Sequence, residues 1–422
     1  MDQTKTLIVG AGISGLAAAV GLGEDFLVLE ADAEIGGYCK TIHRDGFVWD
    51  YSGHFFHFRH AHIGQWFRTR MAGQRIAEVQ KRSFIQTRDG RVDFPFQKNI
   101  HQLPHAQFLH CLHDLYFAQH RDSTPEERTS DNFKDMLFAR YGRSIAELFL
   151  IPYNEKLYAC DLENLDRDAM GRFFPHVAFA DVVRNMVAPD NHSYNSVFTY
   201  PEGGAIEYVR ALAREIDSNT IQLNERLLHI DPASHVAVTN RRHIGYERLI
   251  STMPFNRLLA TVGRPLDPTV WSWNQVLVFN LGFDRKGERG VHWLYFPDPA
   301  ISFYRVGFYD NILEGDRLSL YVEIGLSQGV TPDIAAMQRQ VLADLQAVGI
   351  VTDQRLLASH HVLMDPAYVH ITKASLRAHA HLSAQLGEQD IYSIGRYGSW
   401  TYCSIEDNVV QAFALSERLR QT

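Results

Sequence analysis

Cysteine is scarce in this chain: Cys39, Cys111, Cys160 and Cys403 are scattered through 422 residues and form no CxxC pair. That usage excludes a disulfide framework and suits a reducing, cytoplasmic setting. Long apolar runs are missing too, none reaching the ~18 residues that a spanning helix needs, so no membrane span is expected. Leu7 to Gly23 has the apolar character of a signal-peptide core, but its glycine spacing and the strand that follows predict a retained segment. Positive charge is in deficit, with 41 Lys and Arg against 49 Asp and Glu, a net charge of −8. Nucleic acid is therefore not an expected partner, and an anionic ligand must be held by local arginines. His54, His57, His60 and His62 lie close together, as do His110 and His113, yet no cysteine or carboxylate completes a metal set, and no metal site is expected. Repeats and low-complexity linkers are absent. With 45% hydrophobic and 21% charged residues, the chain has the composition of a globular protein of one to three domains.

What is present begins at Lys5. Leu7 to Val9 is a short apolar run that stops at Gly10, as a buried parallel strand does, and Gly10, Gly12 and Gly15 then spell GxGxxG ahead of an alanine-rich helical segment. The first glycine permits the tight turn, the second lets backbone approach a pyrophosphate, and the third lets helix and strand pack closely. Phosphates would sit at the helix N-terminus. A second apolar strand, Phe26 to Leu29, ends in Glu30, 20 positions past Gly10, where an acid binds a ribose 2′-OH and disfavours a 2′-phosphate. Gly36 and Gly37 offer a second close-approach point. The run Glu30-Ala-Asp-Ala-Glu-Ile-Gly-Gly37 resembles the second half of the flavoprotein fingerprint in the amine oxidase and phytoene desaturase superfamily, which implies FAD.

Downstream, Arg82 to Phe96 alternates around Asp89-Gly90, a hairpin signal. Leu103 to Asp166 reads as helical, with a capped start at Ser130 to Asp135. A helix is expected over Ala205 to Ile216, opened by Tyr200 to Gly204. Strands are expected at Thr220 to Leu223, Leu227 to Ile230, His235 to Val238 and Leu249 to Pro254. Further strands, at Leu277 to Leu281, His292 to Phe296, Ser302 to Tyr309 and Leu318 to Ile324, surround a helix at Asp333 to Val348. An amphipathic helix from Glu406 to Arg420 closes the chain. The expected fold is α/β: a Rossmann-like FAD-binding domain with a helical insertion and an antiparallel substrate sheet. The corresponding segments are 1–96, 191–262 and 386–422 for the cofactor, 97–190 for the helical part and 263–385 for the substrate sheet.

Five further motifs are Gly53-His54, Phe94-Pro-Phe-Gln-Lys-Asn99, Ile151-Pro-Tyr-Asn-Glu-Lys156, Tyr295-Phe-Pro with Phe303-Tyr-Arg305, and Gly395-Arg-Tyr-Gly-Ser-Trp-Thr-Tyr402. Together with the fingerprint they resemble the FAD-dependent UDP-galactopyranose mutases, and the eukaryotic-type sequences more than the bacterial ones. The resemblance implies an isomerase in which reduced FAD attacks the anomeric carbon of a nucleotide sugar through N5, with NAD(P)H as a candidate reductant. It implies that Arg305, with Arg172, clamps the diphosphate, and that Tyr295, Tyr368 and Tyr402 donate to it. Asn154 and Asn195 would lie at the sugar–phosphate end and His54 beside the flavin. Phe94, Phe96 and Gln97 would hold the nucleobase, with Tyr158 in the substrate pocket. Gly53, Arg396, Asp407 and Asn408 would join Gly10, Gly12, Gly15, Glu30, Gly36 and Gly37 around the cofactor. Two departures bear on substrate choice: Tyr158 stands where the family has tryptophan, and Phe94 where it has tyrosine, so the nucleotide and sugar stay open. A flavin amine oxidase or desaturase, a nucleotide-sugar binder without turnover, and an enzyme making another transfer from the flavin–sugar adduct are the alternatives.

Overall fold

The computed structural model describes residues 2–120, 131–191 and 196–421. Strand Asp2–Val9 pairs in parallel with Phe26–Leu29 on one side and with His243–Ser251 on the other. The core residues Leu7, Ile8, Leu249 and Ile250 are fully buried, as befits strands covered on both faces. Ile221–Gln222 extends one edge. On the other, Val236–Thr239 runs antiparallel to the first half of His243–Ser251, with Leu227–Asp231 antiparallel beyond it, and Ile391–Ser393 runs parallel to the second half of His243–Ser251. Late in the chain the backbone thus returns to the first sheet. Helix Ile13–Leu22 covers this sheet and packs on the C-terminal helix Ile405–Arg420, where Ser416 Oγ donates to Ala18 O at 2.9 Å. The carboxyl ends of the parallel strands open toward the second half of the molecule, the usual ligand-binding edge of such sheets.

A second seven-stranded sheet runs in the order Leu356–Val369, Trp273–Phe283, Ser319–Ser327, Arg305–Phe308, Trp293–Tyr295, Ser83–Thr87, Gly90–Asp93. Its pairs are antiparallel except Trp293–Tyr295 with Ser83–Thr87. The hairpin expected around Asp89-Gly90 therefore forms, but as the edge of this sheet rather than beside the first. Helix Ile334–Ala347 closes one face through Val341 and Leu345. The helical insertion comprises His105–His120, Phe133–Ile145, a π-turn at Ala146–Leu150 and Ile151–Tyr158.

One expected helix start is found, one expectation needs correction and one strand was not foreseen. The second insertion helix is capped by Asn132, whose side chain accepts from Asp135 N at 2.8 Å; Ser130 lies outside the described residues. Tyr200 does not open a helix but belongs to strand Val197–Pro201, paired with Ile76–Gln80, and the helix starts at Ile206. The 14-residue strand Leu356–Val369 went unforeseen because it contains Pro366 and the polar run Ser359-His360-His361. As a sheet edge it tolerates a proline that a central strand would not.

Candidate active site

The glycine turn is built by steric exclusion. A Cβ on Gly15 would lie 1.9 Å from the Gly10 carbonyl oxygen, which fixes helix against strand, and Gly10 itself sits at φ +104°. At Gly12 a Cβ would meet only the Gly36-Gly37 backbone, at 3.7 Å or more, so the protein itself would tolerate one there. Helix Ile13–Leu22 starts there without a side-chain cap, leaving its first N–H groups for an anion. Glu30 accepts from Ala11 N at 2.8 Å and Asp32 N at 2.9 Å. The acid expected to meet a ribose therefore also braces the glycine turn. Gly36 N donates to Ala11 O at 2.9 Å, bringing Gly36 and Gly37 against the same turn. From the opposite side Asn408 Oδ1 accepts from Arg396 N at 2.6 Å and Ser14 Oγ at 3.3 Å.

These residues line one end of a cavity of about 590 Å³, whose walls continue through Gly53 and His54 to Tyr295, Tyr304, Arg305, Glu323, Tyr368, Arg396 and Tyr402. Gly12, the uncapped helix start and the strand-end carboxylate suit a dinucleotide, whose ring system would reach the chamber beyond.

Sheet register assembles the far wall. Ile85, Tyr295, Arg305, Glu323 and Val278 stand in one row across five neighbouring strands. Arg305 forks onto Glu323, Nη2 to Oε1 at 2.8 Å and Nε to Oε2, and Ser52 Oγ also donates to Glu323. Burial is the largest influence and works against the guanidinium charge, but the Glu323 carboxylate and the phenols of Tyr368, Tyr321 and Tyr304 together outweigh it and hold Arg305 well above its ordinary pKa. The fork uses two of five N–H donors, which leaves three for a ligand. Opposite, Tyr368 and Tyr402 stack with centroids 5.9 Å apart, and the Arg396 guanidinium lies 4.5 Å from the Tyr402 ring and 5.1 Å from that of Tyr368. Burial raises the Tyr295 phenol to about 12 and Tyr368 higher still, so both remain donors. His54 is pushed down to about 4 by burial and is a neutral imidazole, its Nδ1 3.2 Å from Ser52 O.

Other expected residues lie elsewhere. Arg172 is exposed, pairs with Asp407 at 2.6 Å and lies over the Phe173 ring at 4.4 Å; neither it nor Asp407 lines the cavity. Asn154 and Tyr158 are buried behind the wall, Asn154 donating to Leu150 O at 2.6 Å and Tyr158 packed edge-on to Tyr368. Phe96 is buried against Phe149, and Gln97 Nε2 donates to Pro175 O. Phe94 sits 5.3 Å from Tyr295, outside the cavity lining. Asn195 lies outside the described residues. Glu323, Ser52 and Tyr304 were missed. The one available signal was Glu323 itself, a lone acid inside the apolar strand Ser319–Ser327. Lys81 was missed as well: its ammonium lies 4.6 Å from the Phe94 ring, and burial, then the Arg305 charge, push it down to about 7. Among the described residues no three His, Cys, Asp or Glu are grouped to hold a metal ion, and no helix is long and apolar enough to cross a membrane.

A glycine-turn sheet joined to a substrate sheet across a buried chamber defines a dinucleotide-dependent flavoprotein architecture. Over residues 13–297 the sequence matches the flavin-containing amine oxidoreductases, and the chain belongs to that family. Among solved structures, a reduced UDP-galactopyranose mutase superposes with a TM-score of 0.91 at 23% identity, covering 99% of this chain and 94% of that one. The cyclohexylamine oxidase of Brevibacterium oxydans superposes at 0.69 and 14% identity, covering 99% of both chains. Two curated relatives match over short stretches, and the chain spans about a tenth of their length. An inactive all-trans-retinol 13,14-reductase of Danio rerio is 44% identical over 52 residues, 12% of this chain and 9% of that protein. Protoporphyrinogen oxidase 2 of Arabidopsis thaliana is 43% identical over 49 residues, 11% of this chain and 10% of that protein.

Proposed function

We propose that this chain is an FAD-dependent nucleotide-sugar mutase that interconverts pyranose and furanose forms of UDP-galactose or a related nucleoside-diphosphate hexose. The observation that carries the reading is the row Tyr295–Arg305–Glu323, which sets a forked, charge-locked arginine into the wall of the flavin chamber. An amine or polyene oxidase has no use for a fixed cation there, whereas a departing diphosphate requires one.

When bound and reduced, FAD supplies a nucleophilic ring nitrogen for an anomeric carbon. The chain's own residues do the rest. Glu323 orients the Arg305 fork so that its remaining N–H groups meet phosphate oxygens bidentately, and Tyr295, Tyr368 and Tyr402 add hydroxyl donors. Held in this way, the nucleoside diphosphate stays in place while the sugar changes ring size, so that return is effectively intramolecular. Neutral His54 can donate or accept at the flavin edge without bringing a charge. The buried aromatic walls exclude water from an electron-poor sugar carbon. Phe94, packed on Tyr295, and Tyr158, packed on Tyr368, are the residues we assign to nucleotide and sugar selection, acting from behind those phenols, with Phe96 and Gln97 as their buried support. NAD(P)H is the reductant this reading expects, and the segments 1–96, 191–262 and 386–422 are those we assign to the cofactor, apart from the hairpin Ser83–Thr87 and Gly90–Asp93, which belongs to the second sheet.

The test is a panel of UDP, dTDP and GDP hexoses incubated with dithionite-reduced protein, with ring size read by NMR. Conversion of at least one, dependent on reduction, is expected. No conversion with any of them, or steady oxygen-consuming turnover of amines, overturns the proposal.

A further inference from the structure

Lys156 ends the Ile151-Pro-Tyr-Asn-Glu-Lys motif and lies outside the cavity, yet its ammonium is surrounded. Nζ donates to Phe296 O at 2.9 Å, Asp298 O at 3.0 Å, Ile301 O at 2.8 Å and Phe303 O at 2.6 Å. An ammonium carries three N–H donors, so four backbone acceptors within 3.0 Å form a cage of the kind that holds a monovalent cation. Among the described residues Lys156 forms no ion pair within 4.0 Å; its charge is met by carbonyl dipoles rather than by a carboxylate.

All four carbonyls belong to one loop, 296–303, which links the strand ending in Tyr295 to the strand starting at Arg305. The loop is pinned around them: Phe296 N donates to Tyr304 O at 2.9 Å, and Ser302 N to the Asp344 carboxylate at 2.8 Å. Without a central cation the inward carbonyls would repel one another, and those of Phe296, Ile301 and Phe303 would lose the Lys156 donor, while Asp298 O keeps Ile301 N at 3.2 Å. Lys156 also lies on the helix that carries Asn154 and Tyr158.

We infer that Lys156 is a positioning residue. Its ammonium acts as a built-in monovalent cation that shapes loop 296–303 and so sets Tyr295 and Arg305 in register with helix 151–158. The functional part of this inference rests on the nucleotide-sugar reading; the cage itself does not.

The experiment uses the flavin-loaded full chain with UDP as probe. Lys156→Ala empties the cage. The variant should keep its flavin, melt at lower temperature and bind UDP at least tenfold more weakly. Ammonium or methylammonium chloride at about 100 mM should restore both properties by mass action, and tetramethylammonium chloride at equal ionic strength should not. Lys156→Met keeps the stem while removing the charge and serves if the alanine variant does not fold. It should lose UDP affinity without rescue, because its side chain fills the cage. Wild-type UDP affinity in either variant, or a loss in Lys156→Ala that ammonium leaves unrepaired, overturns the inference. If the wild type binds no UDP, dTDP or GDP takes its place as probe, and if it binds none of the three the nucleotide-sugar reading fails instead. An ammonium-specific rise in the melting temperature of Lys156→Ala then supports the cage, and no such rise overturns it.

Discussion

Removing Arg305 should do two separable kinds of damage. Glu323 is 1% exposed, and its carboxylate is held by the Arg305 fork and by Ser52. Arg305→Ala leaves that buried charge with a hydroxyl as its remaining named partner, and breaking a buried pair from one side costs about 3–5 kcal/mol of stability. The same change strips the charge-assisted donors from the proposed leaving group. That loss is worth ~3 kcal/mol of transition-state stabilisation, or roughly a hundredfold in turnover. The double variant Arg305→Met/Glu323→Gln separates the effects, since a neutral pair of similar volume restores stability to within ~1 kcal/mol but supplies no cation. Thermal melts of the flavin-loaded proteins and turnover of the reduced enzymes are the assays. The single variant should melt well below wild type and be nearly inactive, while the double should melt near wild type and stay inactive. A single variant that melts like wild type refutes the buried-pair argument, and recovered turnover in the double refutes the phosphate clamp.

Gly12→Ala should fold normally, because its Cβ meets nothing closer than 3.7 Å, yet purify with little flavin, whereas Gly15→Ala, 1.9 Å from the Gly10 carbonyl, should fail to fold stably; full flavin in Gly12→Ala contradicts the placement of the pyrophosphate. Tyr304→Phe removes a buried hydroxyl that has no protein partner, so the melting temperature should hold or rise by the equivalent of ~1 kcal/mol, and a marked drop shows the hydroxyl already satisfied. Burial holds His54, His57 and His292 near 4 against an ordinary 6.5, so the unfolded chain takes up protons that the folded chain refuses. Their stabilisation is complete above pH 6.5 and lost as pH falls toward 4. Asp50, raised to about 7 by burial from 3.8, has the opposite sign over that interval, one group against three. Melting temperatures should therefore fall between pH 6.5 and 4.5, and a flat or rising profile counts against these assignments.

Local rules made part of this molecule readable. The glycine turn, the strand Phe26–Leu29, the hairpin around Asp89-Gly90 and the closing helix all depend on period and turn chemistry within a few residues. The hairpin's attachment to Trp293–Tyr295 depends on a pairing across some two hundred positions, and nothing near Ser83 encodes it. Arg172 shows the same limit. Its charge and the family resemblance suggested a phosphate ligand, but Asp407, 235 residues away, pairs with it on the surface. Glu323 is the converse case, a site residue hidden in an apolar strand until its register opposite Arg305 is known.

The central claim, that the bond between anomeric carbon and diphosphate breaks and re-forms under Arg305, is tested most directly by isotope position. The reduced protein would be incubated with a nucleotide sugar from the panel labelled with heavy oxygen at the bridge between sugar and phosphate. The account predicts migration of the label into non-bridging phosphate positions, only with reduced flavin and not in Arg305→Ala. A label that stays in the bridge while ring size changes would contradict it.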